Sequence, residues 1–201
     1  MPISALKIIA PALTTTVSGA ATQSDAEYFG SATWLWMQSK NHRNLPLHAL
    51  DDLLLPAIRL RQFAIVTQDS EQGTRPVAYL GWANLNAEAE SRYLSSPLHG
   101  LQNNEWNSGD RMWFTDCFAP FGNALRVRRI LQPLFAKASA RYLDHRSNER
   151  GARVHTFVGT QVDLAYAHTW WTDRPMLAFQ PELGQMYSQN NHLNSATEAQ
   201  G

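Results

Sequence analysis

Cysteine occurs once, at Cys117, so the chain can form no internal disulfide, and it reads as the product of a reducing compartment, the cytoplasm. No apolar run approaches the ~20 residues that a transmembrane helix needs, which excludes a bilayer-spanning segment. The stretch Ile8 to Leu13, followed by Gly19-Ala20-Ala21, has the outline of a signal peptide, but its only preceding cation is Lys7 and Pro11 interrupts it. A flexible extension is the better reading. Net charge is lacking too, since 17 Lys and Arg balance 17 Asp and Glu, and this speaks against a nucleic-acid partner. There is no internal repeat, phosphate-binding loop, dinucleotide fingerprint, HExxH pair or paired-cysteine spacing, and the histidines are dispersed. No metal site and no bound cofactor are therefore expected.

What is present suffices for one domain, because 201 residues with 44% hydrophobic content can bury a single substantial core. Residues 1–26 show no sustained period and are expected to be unstructured, as is the polar, Gln/Asn-rich tail 181–201, leaving 27–180 as the folded domain. Tyr28, Ala32, Leu35, Trp36 and Ser39 follow a helical spacing that stops at Lys40, Asn41 and Asn44, with Pro46 beyond. Leu47, Leu50, Leu54 and Ile58 predict a second helix bent at Pro56. Phe63–Thr67 and Val77–Leu85 read as strands joined by a hairpin loop over Gln68–Pro76, then a charged helix over Ala87–Leu94 and a loop over Ser95–Gly109. Met112–Phe118 reads as a central strand. Leu125–Leu143 has helical periodicity kinked at Pro133, Ala152–Val158 is a last strand, and Asp163–Trp171 is a short amphipathic pattern.

Two stretches carry candidate chemistry. FGSATWLWMQSKNHRNLP, Phe29 to Pro46, places His42 just past a helix C-terminus, the end of the macrodipole that favours a cation. SGDRMWFTDCFAPFG, Ser108 to Gly122, places Asp116 among aromatic residues. On a regular strand Met112, Phe114, Asp116 and Phe118 share one face, which makes Asp116 the only charge in an apolar row. Such a carboxylate needs a dedicated partner; a structural salt bridge to an arginine is the alternative to a working site. Cys117 points the other way and reads as packing, with a nucleophile as the alternative. Trp34, Trp36, Trp82, Trp113 and Phe114 read mainly as core, with one or two as pocket wall. Between Phe121 and His155 lie Arg126, Arg128, Arg129, Lys137, Arg141, Arg146, Arg150 and Arg153 against Asp144 and Glu149. That segment is either a docking surface for an acidic partner or a solvated helix face.

Several ordered blocks resemble the RTX toxin-activating lysine acyltransferases of the haemolysin-activating type. They are Trp34-Leu35-Trp36 with Ser39, His42-Arg43-Asn44 and Pro46; Leu55-Pro56-Ala57-Ile58-Arg59; Pro76-Val77-Ala78-Tyr79 with Trp82-Ala83-Asn84-Leu85 and Tyr93-Leu94; and Trp106, Ser108-Gly109-Asp110-Arg111, Trp113-Phe114, Asp116 and Ala119-Pro120-Phe121-Gly122. A weaker match runs through Arg153-Val154 and Phe157 to Gly159, so the likeness covers about Phe29 to Gly159. Cys117 stands where relatives commonly carry tryptophan, and Lys40-Asn41 replaces a more apolar pair. The resemblance implies a single α/β (α+β) domain of N-acetyltransferase-like (GNAT-like) fold, with a central, mostly antiparallel sheet flanked by helices. It also implies transfer of a fatty acyl group from acyl carrier protein to internal lysines of an RTX protoxin, and it suggests a homodimer.

The family's histidine and aspartate fall on His42 and Asp116. A lysine amine with pKa ~10.4 must be held neutral, at a cost of roughly 4.6 kcal/mol near pH 7. A histidine base oriented by a carboxylate meets that need. Oxyanion donors are sought at Ser39, Asn44 and the Ser108-Gly109 turn, and the dock for acidic acyl carrier protein at Arg126, Arg128 and Arg129. Two alternatives stay open: a covalent acyl-enzyme on His42, Ser39 or Cys117, and a non-catalytic escort of the protoxin or carrier protein.

Overall fold

A reciprocal cap starts the first long helix. Ser24 Oγ accepts from the Glu27 amide while the Glu27 carboxylate accepts from the Ser24 amide, so α1 runs Asp25–Gln38. The computed structural model describes residues 6–10, 23–95, 100–144 and 153–176. In α1 the predicted spacing holds: Tyr28, Ala32, Leu35 and Trp36 are buried. The second helical pattern splits into α2 (Ala49–Leu53) and α3 (Leu55–Arg59), because Leu54 leaves helical geometry and Pro56 opens a new helix. Leu47, expected on the apolar face, is exposed.

Six strands follow the chain order β1 to β6 in one sheet: β1 Leu6–Ile9, β2 Phe63–Ser70, β3 Gly73–Leu85, β4 Arg111–Phe118, β5 Ser139–Asp144 and β6 Arg153–Val158. Every neighbouring pair is antiparallel except β4–β5, which is parallel and pairs at Trp113–Arg141 and Phe114–Tyr142. This is the mixed α/β single domain expected, and it is consistent with an N-acetyltransferase-like fold.

Three expectations need correction. The N-terminal stretch, expected to be unstructured, contributes β1, because Leu6 and Ile8 pack against the core beside β2. The hairpin is tighter than its polar sequence implied: Asp69 pairs with Thr74 and Ser70 with Gly73, whose φ of 110° a glycine accommodates at the turn. Helix α5 (Ala124–Leu131) passes into a 3-10 turn at Gln132–Phe135, and where a helix was expected to continue the chain forms β5. Pro133 offers no amide to continue the helical ladder, and Ala140 and Arg141 are buried in the strand. The expected tail 181–201, residues 177–180 of the expected domain, and Arg146 and Arg150 lie outside the described residues.

Side chains alternate across the sheet into two layers. Ala64, Val66, Ala78, Leu80 and Trp82 face α5 and the 3-10 turn, where Val127, Leu131 and Phe135 cover them. On the opposite face Phe63, Ile65 and Tyr79 meet α1, α2 and α3. Farther along that face Ala83, Leu85 and Trp113 meet α4 (Ala87–Ser95) and the loop bearing Leu101 and Trp106. Helix α6 (Leu164–Thr172) is capped by Asp163, which accepts from the Ala165 and Tyr166 amides. Among the described residues no helix is long and apolar enough to cross a membrane.

Candidate active site

The end of α1 builds one half of the site. Ser39 caps the helix in extended geometry, its amide donating to Leu35 and Trp36 carbonyls, and its own carbonyl accepts from the His42 and Arg43 amides. That turn folds His42 back under the helix. Its ring lies between Trp36, at 4.9 Å between centroids, and Phe118, at 4.5 Å, so packing on both sides fixes its orientation. Ser39 Oγ sits 2.7 Å from His42 Nδ1.

Strand β4 brings the other half, by a route that simple alternation missed. Gly81 on β3 pairs with Asp116, but the next residue, Trp82, pairs with Phe114, so Thr115 is an extra residue in β4. The β-bulge flips the alternation. Phe114 keeps the α5 face, packing on Phe135 and Phe157, whereas Asp116 and Phe118 turn to the α1 face, with Phe118 against Tyr79. The expected row of Met112, Phe114, Asp116 and Phe118 is thus divided between two faces. Asp116 Oδ2 then lies 3.2 Å from His42 Nε2, with 16% and 23% of the histidine and aspartate side chains exposed. The pair is mostly shielded from solvent yet open enough to be reached.

The other candidates scatter. Asn44 is exposed in the turn after His42 and makes no side-chain hydrogen bond among the described residues. The Ser108 and Gly109 amides, expected as oxyanion donors, both donate to the Asn84 carbonyl, and Ser108 Oγ accepts from the Asn86 amide. They lock the loop to the far end of β3, and a Cβ at Gly109 would stand 2.6 Å from the Leu85 carbonyl oxygen, so the glycine is needed for that close approach. Arg126, Arg128 and Arg129 lie on α5, across the sheet from the His42–Asp116 pair, where Asn123, Leu125, Arg126 and Arg129 help line a cleft of about 620 Å³. Arg141 is no part of a basic surface: it is buried against Glu90. Of the tryptophans, Trp36, Trp82 and Trp113 are core, while Trp34 is exposed and packs on Phe121 at 5.5 Å.

Cys117 pairs with Leu80 on the face opposite Asp116. Although Cys117 is exposed at the surface, the packing around its sulfur and then the Asp116 charge push its thiol up to about 11, which leaves it a poor nucleophile at neutral pH. Sequence reasoning missed the Ser39–His42 contact as a geometric feature, although the i, i+3 spacing of the two residues across a helix stop was its signal. It also missed the ring sandwich. Among the described residues no group of His, Cys, Asp and Glu is arranged to hold a metal ion.

A carboxylate on one imidazole nitrogen and a hydroxyl on the other form a chain that can carry a proton, an arrangement compatible with group transfer. Residues 21–158 match the model of the HlyC family, the RTX toxin acyltransferases. A protein-lysine myristoyltransferase of Escherichia coli is 44% identical over 142 residues, covering 71% of this chain and 79% of the relative. The RTX-I toxin-activating lysine-acyltransferase of Actinobacillus pleuropneumoniae is 34% identical over 141 residues, 70% and 79% of the two chains. A protein-lysine myristoyltransferase of Kingella kingae is 33% identical over 138 residues, 69% and 80%. The chain belongs to the RTX toxin acyltransferase family.

Proposed function

We propose that this protein moves a fatty acyl group from acyl carrier protein to internal lysines of an RTX protoxin, with His42 as general base and Asp116 as its orienting partner. The observation that carries this reading is the 3.2 Å contact of His42 Nε2 with Asp116 Oδ2 between residues far apart in the chain. The carboxylate holds the imidazole N–H on Nε2, which leaves Nδ1 as the basic nitrogen. Nδ1 faces Ser39 Oγ at 2.7 Å, so the Ser39 hydroxyl passes its proton inward and takes one from the substrate amine. The lysine nitrogen attacks the thioester carbonyl, the new C–N bond forms, and the C–S bond breaks. Of the two protons the ammonium loses, one reaches solvent through His42 and the other leaves on the carrier's thiol. Asp116 stabilises the imidazolium in between.

The arginines of α5, with Arg128 and Arg129 exposed and Arg126 half-buried at the cleft, suit the acidic carrier protein, and the exposed Trp34–Phe121 pair gives its acyl chain an apolar approach. The same reading places the reaction in the cytoplasm, where a lone thiol stays reduced. Co-expression of the protoxin with this protein, followed by intact-mass analysis, tests it. A fatty-acyl mass increase is expected with wild type, and His42→Ala reduces the rate ~10²–10⁴-fold. Full acylation by the variant would remove His42 from the mechanism.

The short Ser39–His42 contact supports a second reading, in which Ser39 itself carries the acyl group. Ser39 is 8% exposed, which leaves its hydroxyl within hydrogen-bond reach of an amine but gives a bulkier thioester carbonyl little room to bond to it, and so favours the relay. Rapid quenching with labelled acyl carrier protein alone separates the two: the relay leaves no label on the enzyme, whereas a Ser39 ester would be trapped.

A further inference from the structure

Tyr79 is 1% exposed, and its hydroxyl has no hydrogen-bond partner among the described residues. Thr115, the residue that the bulge adds to β4, buries its Oγ1 in the same unpaired way. Both oxygens gather at one position. A Cβ at Gly81 would sit 3.0 Å from the Tyr79 hydroxyl oxygen and 3.3 Å from Thr115 Oγ1. Gly81 is in turn the cross-strand partner of Asp116. Asp116 uses Oδ2 on His42 and leaves its other oxygen without a partner among the described residues.

Packing alone explains none of this. Phenylalanine at 79 and valine at 115 would fill the same space without burying an unpaired hydroxyl, which is unfavourable. Glycine inside a strand weakens it unless something must come close to the backbone. Here the Tyr79 hydroxyl and ring edge occupy the space that a side chain at Gly81 would take, one cross-strand pair away from Asp116. Burial and then the Asp116 charge hold the phenol well above its ordinary ionisation range, so it remains a proton donor throughout neutral pH.

We propose that the Tyr79 and Thr115 hydroxyls are positioning donors for Asp116, holding its free carboxylate oxygen by a small side-chain rotation or through one shared water. Oδ2 then stays aimed at His42 Nε2 while the proton moves. Gly81 is the space that permits it. This rests on the reading of His42 and Asp116 as the working pair of an acyltransferase.

The test uses the full-length protein and two independent readouts. In the first, NMR of the Tyr79 hydroxyl proton, assigned by its loss in Tyr79→Phe, is expected to show a resonance protected from exchange that moves in Asp116→Asn and in Thr115→Val. A resonance indifferent to both substitutions overturns the proposal. In the second, Tyr79→Phe and Thr115→Val are expected to lower kcat for acyl transfer roughly ten-fold or more, with KM for donor and protoxin unchanged. Thr115→Ser restores the rate, and the thermal midpoint of none of the three falls. Wild-type kcat in both hydroxyl-deleted variants overturns it as well. If wild type transfers no acyl group, the function reading fails while the NMR result still judges the hydroxyls.

Discussion

Two carboxylates face the same side of one sheet in opposite settings. Glu90, on α4, is 1% exposed and has both oxygens saturated: Arg111 Nη1 donates to Oε2 at 2.6 Å, while Trp113 Nε1, at 2.8 Å, and Arg141 Nη1 donate to Oε1. The guanidinium of Arg141 lies near the rings of Trp170 and Trp171, and Arg141 and Arg111 also donate to the Arg174 and Pro175 carbonyls, which ties α6 and the segment after it to the sheet. Asp116, on the other side of the β4 bulge, spends one oxygen on one histidine and remains accessible. The first arrangement is closed by its own donors; the second keeps lone pairs and a proton-carrying partner in reserve. Satisfaction of hydrogen bonds, more than the presence of charge, separates a structural ion pair from a working one.

Exchanging the two residues' fates gives the largest expected effect. Glu90→Ala leaves Arg111 and Arg141 buried without a counter-charge and is expected to cost ~3–5 kcal/mol of unfolding free energy, measured by urea titration. Asp116→Asn is expected to change stability by less than ~1 kcal/mol and to slow acyl transfer roughly 10²–10⁴-fold. A stable Glu90→Ala protein, or an active Asp116→Asn protein, would break the contrast. A smaller effect is expected from the double charge reversal Arg126→Glu with Arg129→Glu. Steady-state kinetics should show KM for acyl carrier protein raised about ten-fold, a weaker dependence on salt, and kcat unchanged.

How much of this was legible depends on the range of the signal. Helix α1 could be read because its apolar spacing and its stop at Lys40 and Asn41 are local, and His42 followed from that stop. Strands β2, β3, β4 and β6 could be read from β-branched and aromatic content. What could not be read depends on partners far along the chain. Residues 139–144 have a plausible helical period, and only pairing with β4 and β6 makes them a strand. The bulge at Thr115 is set by register against β3, so Asp116 was assigned to the face of Phe114 when it lies on the other. Arg141 counted as a surface cation because nothing near it in sequence announces Glu90.

Ordinary alternation beyond the bulge makes a finer prediction about Cys117, next in the chain to Asp116 but turned to the other face. Its thiol is raised to about 11, so thiolate appears only as the pH climbs toward that value, and near pH 8 roughly one molecule in a thousand carries it. Free cysteine, with a pKa of ~8.5, is about a quarter ionised there, so iodoacetamide should label Cys117 some hundred-fold more slowly than a small thiol, with a rate that rises through pH 10. Cys117→Ser should retain wild-type transfer, since neither the thiol's charge nor its position serves the histidine. Fast labelling at pH 8 combined with loss of transfer in the serine variant would instead place the thiol on the Asp116 side of the sheet.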